Sequence, residues 1–312
     1  MGMRAGAVLL SAVFTGHACG SQIVGEIPQI DLSSWSWPPS IAIPLFATGL
    51  IYCLGFLRMR RHASRGVVPK PVPTMAFAAG WLALLLALDS PVHELSEQLF
   101  WVHMTQHEIL VLIAAPLMVL SNAGNIFLWA MPRSWRASAG ALFGNSRSGE
   151  IWSALTKPAV AWAIHAVALW GWHAPVLFNA TLRSDAIHAL QHLSFFVTAW
   201  LFWWALVHRQ HGTNYGAAIL YVFTTAVHTS ALGALLTFAS SAWYAPYFET
   251  TLAWHLTPLE DQQLGGLIMW VPAGTLLTVI GLLMIPKWLR TSQRRWELSR
   301  SADLLQARRS AR

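Results

Sequence analysis

The chain has 312 residues, 55% of them apolar and only 11% charged, with 18 tryptophans and a mean hydropathy of +0.47. A water-facing globular surface needs about 25% charged residues, so a soluble domain is excluded. The net charge of +7 and pI near 10 would suit nucleic acid, but the basic residues gather in particular loops and in the C-terminal tail. That is the distribution of topology signals and of contact with anionic lipid headgroups, so the expected partner is the bilayer and not nucleic acid.

Residues 1–19 carry Arg4, a short apolar stretch and then small residues, as an export signal does. With the stretch up to residue 40 they form a signal-like segment. Seven apolar segments follow, at roughly 41–57, 74–89, 104–121, 158–172, 190–207, 215–238 and 264–286; several approach the ~20 residues a membrane helix needs, while 74–89 and 158–172 are short. Pro44, Pro116 and Pro272 lie inside them, which membrane helices tolerate. The fold class is therefore all-α, a polytopic membrane bundle of about seven transmembrane helices over residues 41–290. Residues 291–312 form a basic tail. Cys19 and Cys53 are the two cysteines, and they offer neither a disulfide framework nor a CxxC motif.

Orientation follows from the basic residues. The loop 58–73 has five, the loop 122–157 four, the loop 208–214 one and the tail after 286 eight, which makes 18 of the 20 in the chain. The alternate loops hold only Arg183. The positive-inside rule then puts the N-terminus outside and the tail in the cytoplasm.

With the sides assigned, the histidines sort unevenly. His62, His208 and His211 fall inside, whereas His93, His103, His107, His173, His188, His192 and His255 fall at outer helix ends or in outer loops. His165 and His228 lie nearer the middle of their segments. Asp89, Glu94, Glu97, Glu108, Asp185, Glu249, Glu260 and Asp261 share the outer bias. His103 and His107 are four residues apart at the outer start of the third segment, and His188 and His192 repeat that spacing at the outer start of the fifth. Side chains at i and i+4 share a helix face, so each pair can offer two imidazoles to one metal. Imidazole suits zinc, copper, iron and nickel, and a nearby thioether such as Met104 would favour Cu(I). Ionisable groups in a membrane are costly enough to mark functional positions, although a histidine can also serve only to bridge helices by hydrogen bonding.

A haem protein is the alternative, with His165 and His228 as axial ligands from facing helices. Stacked haems would need ligands at both membrane faces, and both tight pairs fall at one. Glu108 is either a partner of a histidine or a neighbour of a bound cation. Asp261, just before the last helix, is expected to cap that helix through its carboxylate or to support a site from behind, with Gln262 and Gln263 placing amides at the same helix start. The chain carries no P-loop, GxSxG or HExxH pattern, and no catalytic role is expected.

Four stretches carry a family resemblance: "LDSPVHELSEQLFWVHMTQHEILVLIAAPLMVL" (88–120), "LWGWHAPVLFNATLRSDAIHALQHLSFF" (169–196), "LGALLTFA" (232–239) and "TPLEDQQLGGLIMWVP" (257–272). The chain resembles the polytopic CtaG family of caa3-type cytochrome c oxidase assembly factors from about residue 40 to 290. The resemblance implies a seven-helix bacterial plasma-membrane protein that assists maturation of a haem-copper oxidase at the copper step, with an oxidase subunit as partner. Its motif histidines match His103, His107, His173, His188 and His192. Independently of the resemblance, Glu108, Asp89, His93, Asp261 and Gln262 are the expected supporting residues. A copper permease ranks last, because polar and thioether residues are sparse toward the cytoplasmic side.

Overall fold

A computed structural model of the protein describes residues 35, 37–62, 70–136, 147–209 and 215–311. The signal-like stretch up to residue 34, with Cys19, and His211 lie outside the described residues. Among the described residues there are helices and turns and no strand, as hydrocarbon requires of a chain that must satisfy its own backbone groups.

Twelve helices are labelled in chain order. They are α1 (Pro39–His62), α2 (Pro71–Leu88), the short α3 (Pro91–Ser96), α4 (Phe100–Leu120), α5 (Gly124–Ala130) and α6 (Arg147–Leu155). Then come α7 (Pro158–His173), α8 (Pro175–Thr181), α9 (Asp185–His208), α10 (Tyr215–Thr237), the single turn α11 (Tyr247–Thr250) and α12 (Pro258–Ser310). Six of these are long and apolar enough to cross a membrane, and α7 with α8 makes a seventh span if that pair, bent by 77°, is counted as one. Each of the seven apolar segments expected from hydropathy falls largely on one of these helices.

Proline sets several boundaries. Pro175 disfavours helical backbone in the residue before it, and Ala174 accordingly turns to an extended conformation (ψ 130°). This ends α7 at His173 and throws α8 sideways. In α4, Pro116 cannot donate a helical N–H, and the helix widens into a π turn over Ile109–Ala114. The Trp203 indole N–H donates to the Val111 carbonyl in that turn (2.8 Å), so an altered stretch of backbone is tied to α9.

The last helix is one continuous rod of 53 residues, about 80 Å long at 1.5 Å per residue. It opens with a capping box: Thr257 Oγ1 accepts from the Glu260 N–H (3.2 Å), and Glu260 Oε2 accepts from the Thr257 N–H (2.9 Å). The expected cap by Asp261 is therefore corrected, because Thr257 holds that position and leaves Asp261 free for another helix. Where α10 crosses α12 the backbones nearly touch. A Cβ on Gly233 would lie 2.7 Å from Trp270 Cβ, and one on Gly266 would lie 2.7 Å from the Gly233 carbonyl oxygen. Close approach through small residues is the usual way membrane helices associate.

Connectivity brings the C-terminal ends of α2, α7 and α10 to the same end of the bundle as the N-terminal ends of α4, α9 and α12. The short helices α3, α8 and α11 lie there too. The basic residues in the last turn of α1 and in the far half of α12 belong to the other end.

Candidate metal centre

Six histidines meet at the first of these ends. His103 and His107 come from the first turns of α4, His188 and His192 from the first turns of α9, His173 from the last turn of α7 and His93 from α3. Except for His93, which is half-buried, each is buried. Ring centroids lie 4.4 Å apart for His103–His107, 4.3 Å for His188–His192, 5.0 Å for His103–His188 and 5.5 Å for His107–His192. The two i,i+4 pairs thus face each other across the α4–α9 contact, and Phe100, Phe178, Phe195, Tyr244 and Tyr247 wall them in.

Within this cluster His103, His188 and His192 each bring one ring nitrogen within 4.8 Å of the other two. His107 packs against His103 and His192 but stands outside that triad, and His173 reaches only as far as His107 (6.0 Å). Both nitrogens of His107 and of His192, Nε2 of His188 and Nε2 of His173 are buried with no hydrogen-bond partner among the described residues. The large majority of buried side-chain polar atoms are paired, so this concentration of bare nitrogens fits a site built to receive a Lewis acid.

The hydrogen bonds fix which lone pairs point where. His173 Nδ1–H donates to its own helix at the Leu169 carbonyl (2.6 Å), which leaves Nε2 as the bare acceptor. Around His103, two protons serve three contacts: Ser96 O to Tyr247 Oη (2.7 Å), Tyr247 Oη to His103 Nδ1 (3.1 Å) and His103 Nε2 to the Gln191 side-chain amide (3.2 Å). The Ser96 carbonyl can only accept, so the tyrosine proton goes there and the phenol oxygen accepts from His103 Nδ1–H. The Nε2 lone pair of His103 then faces the side-chain oxygen of Gln191 (3.2 Å), an acceptor that offers it no proton. A metal ligand whose other nitrogen donates to a fixed acceptor is held in tautomer and orientation in this way.

His93 is held in the opposite sense. Gln106 Nε2 donates to the Ala87 carbonyl (2.5 Å) and to His93 Nδ1 (3.2 Å), so neutral His93 carries its proton on Nε2. Its ring stacks on His188 at 5.3 Å. His93 and His188 also form a second group with Glu97, their ligand atoms again within 4.8 Å. Burial lowers the His93 pKa, against the charges of Asp185 and Glu94. Burial raises that of Glu97, and the same two carboxylates push it further up.

The supporting residues divide. Asp261 is buried and accepts from the backbone N–H groups of Phe100 (2.7 Å) and Trp101 (3.0 Å). It therefore caps α4, whose own N-cap residue, Leu99, has no side chain able to do so, and it anchors the helix three residues ahead of His103. Gln262 accepts from the Trp243 N–H (2.6 Å) and pins the loop that carries Tyr244 and Tyr247. Asp89 ends α2 with both carboxylate oxygens buried and no partner among the described residues, and burial raises its pKa to about 6. Glu108 is not a partner of the clustered histidines. It faces a cavity of about 20 Å³ shared with His165, Thr225 and Thr229, room for about one water. Met104 packs wholly buried in the aromatic core beside Gly265 of α12.

Tyr247, Gln191 and Gln106 are functional neighbours that sequence patterning missed. Gln191 sits within the α9 pair, three residues after His188 and one before His192, a position on the same face that could have flagged it. Tyr247 lies 144 residues from His103 and has no local signal.

Comparison with known proteins adds the lineage. Two curated relatives are 23% identical to the chain over 288 residues: the uncharacterized protein Mb0105 of Mycobacterium bovis and the uncharacterized protein MT0111 of Mycobacterium tuberculosis. Each alignment covers 86% of this chain and 42% of the relative, so the chain spans less than half the length of those proteins. No solved structure matches. The family profile of the cytochrome c oxidase caa3 assembly factor (Caa3_CtaG) matches residues 50–291, a stretch that runs from α1 through the membrane part of α12 and takes in the whole histidine cluster, and the chain belongs to that family.

Proposed function

We propose that this oxidase assembly factor handles copper. It takes the ion on His103, His188 and His192 at the outer face of a bacterial plasma membrane and passes it to a subunit of the oxidase. The observation that carries the reading is the triad itself, three buried imidazoles from two helices converging within 4.8 Å, with unpaired nitrogens on His188 and His192. His107 and His173 are the next ligands in line, close enough to receive the ion as it moves.

The donor set favours Cu(I). Imidazole nitrogen suits copper, and the triad contains no carboxylate. A monovalent ion in an uncharged, apolar cage costs far less to desolvate than a divalent one. Lone pairs alone hold the ion, so ligand exchange suffices for transfer and the protein has no covalent step to catalyse. The outer-face assignment rests on the basic loops and on the basic far half of α12, all at the opposite end of the bundle.

The test is metal content and visible spectrum of detergent-purified protein loaded anaerobically with Cu(I). One tightly held copper per chain is expected, with loss of tight binding in a His103→Ala/His188→Ala/His192→Ala variant. Equal retention by that variant would remove the site. A Soret band with about one haem per chain would establish the haem reading instead. The one-water cavity beside His165 gives that reading little support.

A further inference from the structure

We infer that Glu97, His93 and His188 form a separate cation site at the mouth of the cluster, through which the ion reaches the buried triad, with His188 as the ligand common to both. This rests on the reading of His103, His188 and His192 as a metal centre.

His188 belongs to both groups of converging ligand atoms, with Glu97 and His93 on one side and His103 and His192 on the other. Exposure falls along the series: Glu97 is exposed, His93 half-buried, and His188, His103 and His192 buried. The ring spacings form a path without a gap, 5.3 Å from His93 to His188 and then 4.3 Å to His192 or 5.0 Å to His103. His188 Nε2 is buried and unpartnered, so a nitrogen is free at the junction. Asp185 and Glu94 act electrostatically on both His93 and Glu97, so three carboxylates surround the opening. The triad has no carboxylate of its own.

The mouth is chemically suited to capture and poorly suited to retention. Carboxylates attract a cation from water and raise its local concentration, and a hard oxygen donor holds a soft ion such as Cu(I) weakly. The Nδ1 lone pair of His93 is already engaged by Gln106, so an ion that binds there must displace that amide. The step inward exchanges Glu97 and His93 for His103 and His192 while His188 stays bound. No electron changes hands, and no proton needs to leave a neutral imidazole that offers its lone pair.

The experiment uses the full chain in detergent, with Cu(I) supplied anaerobically from a weak chelator, and reads both equilibrium affinity and loading rate. Glu97→Gln is expected to slow loading roughly tenfold and flatten its salt dependence, while the final affinity stays within about twofold. A His103→Ala/His192→Ala variant keeps the mouth, and it is expected to bind one ion weakly and to lose it on adding Glu97→Gln. The mouth site is overturned if that variant binds no ion, if its binding ignores Glu97→Gln, or if Glu97→Gln loads as fast as wild type. The buried triad fails separately if wild type binds no more tightly than the double variant.

Discussion

Tyr247→Phe removes one oxygen from the middle of the Ser96–Tyr247–His103–Gln191 chain and should change both stability and metal affinity. Its hydroxyl donates to the Ser96 carbonyl at 2.7 Å and accepts from His103 at 3.1 Å, with Tyr247, Ser96 and His103 all buried. Without it the Ser96 carbonyl loses its donor, at a cost of about 1–3 kcal/mol for an unsatisfied buried group. His103 is then free to take the other tautomer and donate Nε2–H to Gln191 Oε1, already 3.2 Å away. That hides the lone pair the triad needs, and loss of such a supporting bond typically costs 10–100-fold in metal affinity. Unfolding of the metal-free protein in detergent measures the first effect, and Cu(I) competition titration measures the second. Phenylalanine that leaves both unchanged would refute the assigned tautomer. Lowered stability with unchanged affinity would mean that His103 does not bind through Nε2.

Three further changes test the frame around the site. Asp261→Ala leaves the Phe100 and Trp101 N–H groups unpaired and should cost about 1–3 kcal/mol for each, with Asp261→Asn falling between it and wild type in the unfolding midpoint; an unchanged midpoint for the alanine variant would remove Asp261 as the cap of α4. Gly266→Ala places a Cβ 2.6 Å from the Thr237 backbone nitrogen, so overpacking of about 1–3 kcal/mol is expected, read as loss of folded protein on size-exclusion chromatography; normal yield and midpoint would show that α10 and α12 can separate. Burial raises the Asp89 pKa to about 6, above its unfolded value near 3.9. The stability this contributes is present below about pH 4 and is lost as the pH rises through 6. Asp89→Asn, which stays neutral, should therefore raise the midpoint at pH 7.5 and leave it little changed at pH 4, and a variant less stable than wild type at pH 7.5 would contradict the burial argument.

Spans and helical spacing were legible because they depend on local composition. Hydropathy located the seven segments to within a few residues at most edges, and the i,i+4 spacing put His103 with His107 and His188 with His192. Hydropathy ends the last apolar segment near residue 286, because it tracks apolar character and not helicity. The tail is rich in Arg and Leu, both good helix formers, so the rod runs on to Ser310. The direction Glu108 takes depends on helix phase. Adjacent residues on a helix point about 100° apart, so a carboxylate beside His107 in sequence turns into the interior with His165. Asp261 was rightly expected to cap a helix, but which helix depended on α12 packing against α4, a pairing between residues 160 apart that no local window contains.

The distribution of charge around the site bears on how it could release as well as hold an ion. The carboxylates Glu94, Glu97 and Asp185 stand at the exposed rim, and the buried triad is made of imidazoles alone. A buried carboxylate would neutralise a bound ion, and in a medium of low dielectric that attraction would be large enough to trap it. With neutral donors the ion keeps its whole charge in the apolar cage, which leaves a persistent drive toward any partner that offers an anionic or solvated ligand. The same neutrality makes entry slow unless something at the rim gathers ions first, which is the part assigned to the three carboxylates. Adding a charge inside should then convert a relay into a store. Gln191→Glu, which puts a carboxylate beside His103 Nε2 with little change of shape, is expected to slow dissociation of Cu(I) at least tenfold without speeding its loading. Faster release from that variant would show that the imidazoles hold the ion by something other than their lone pairs.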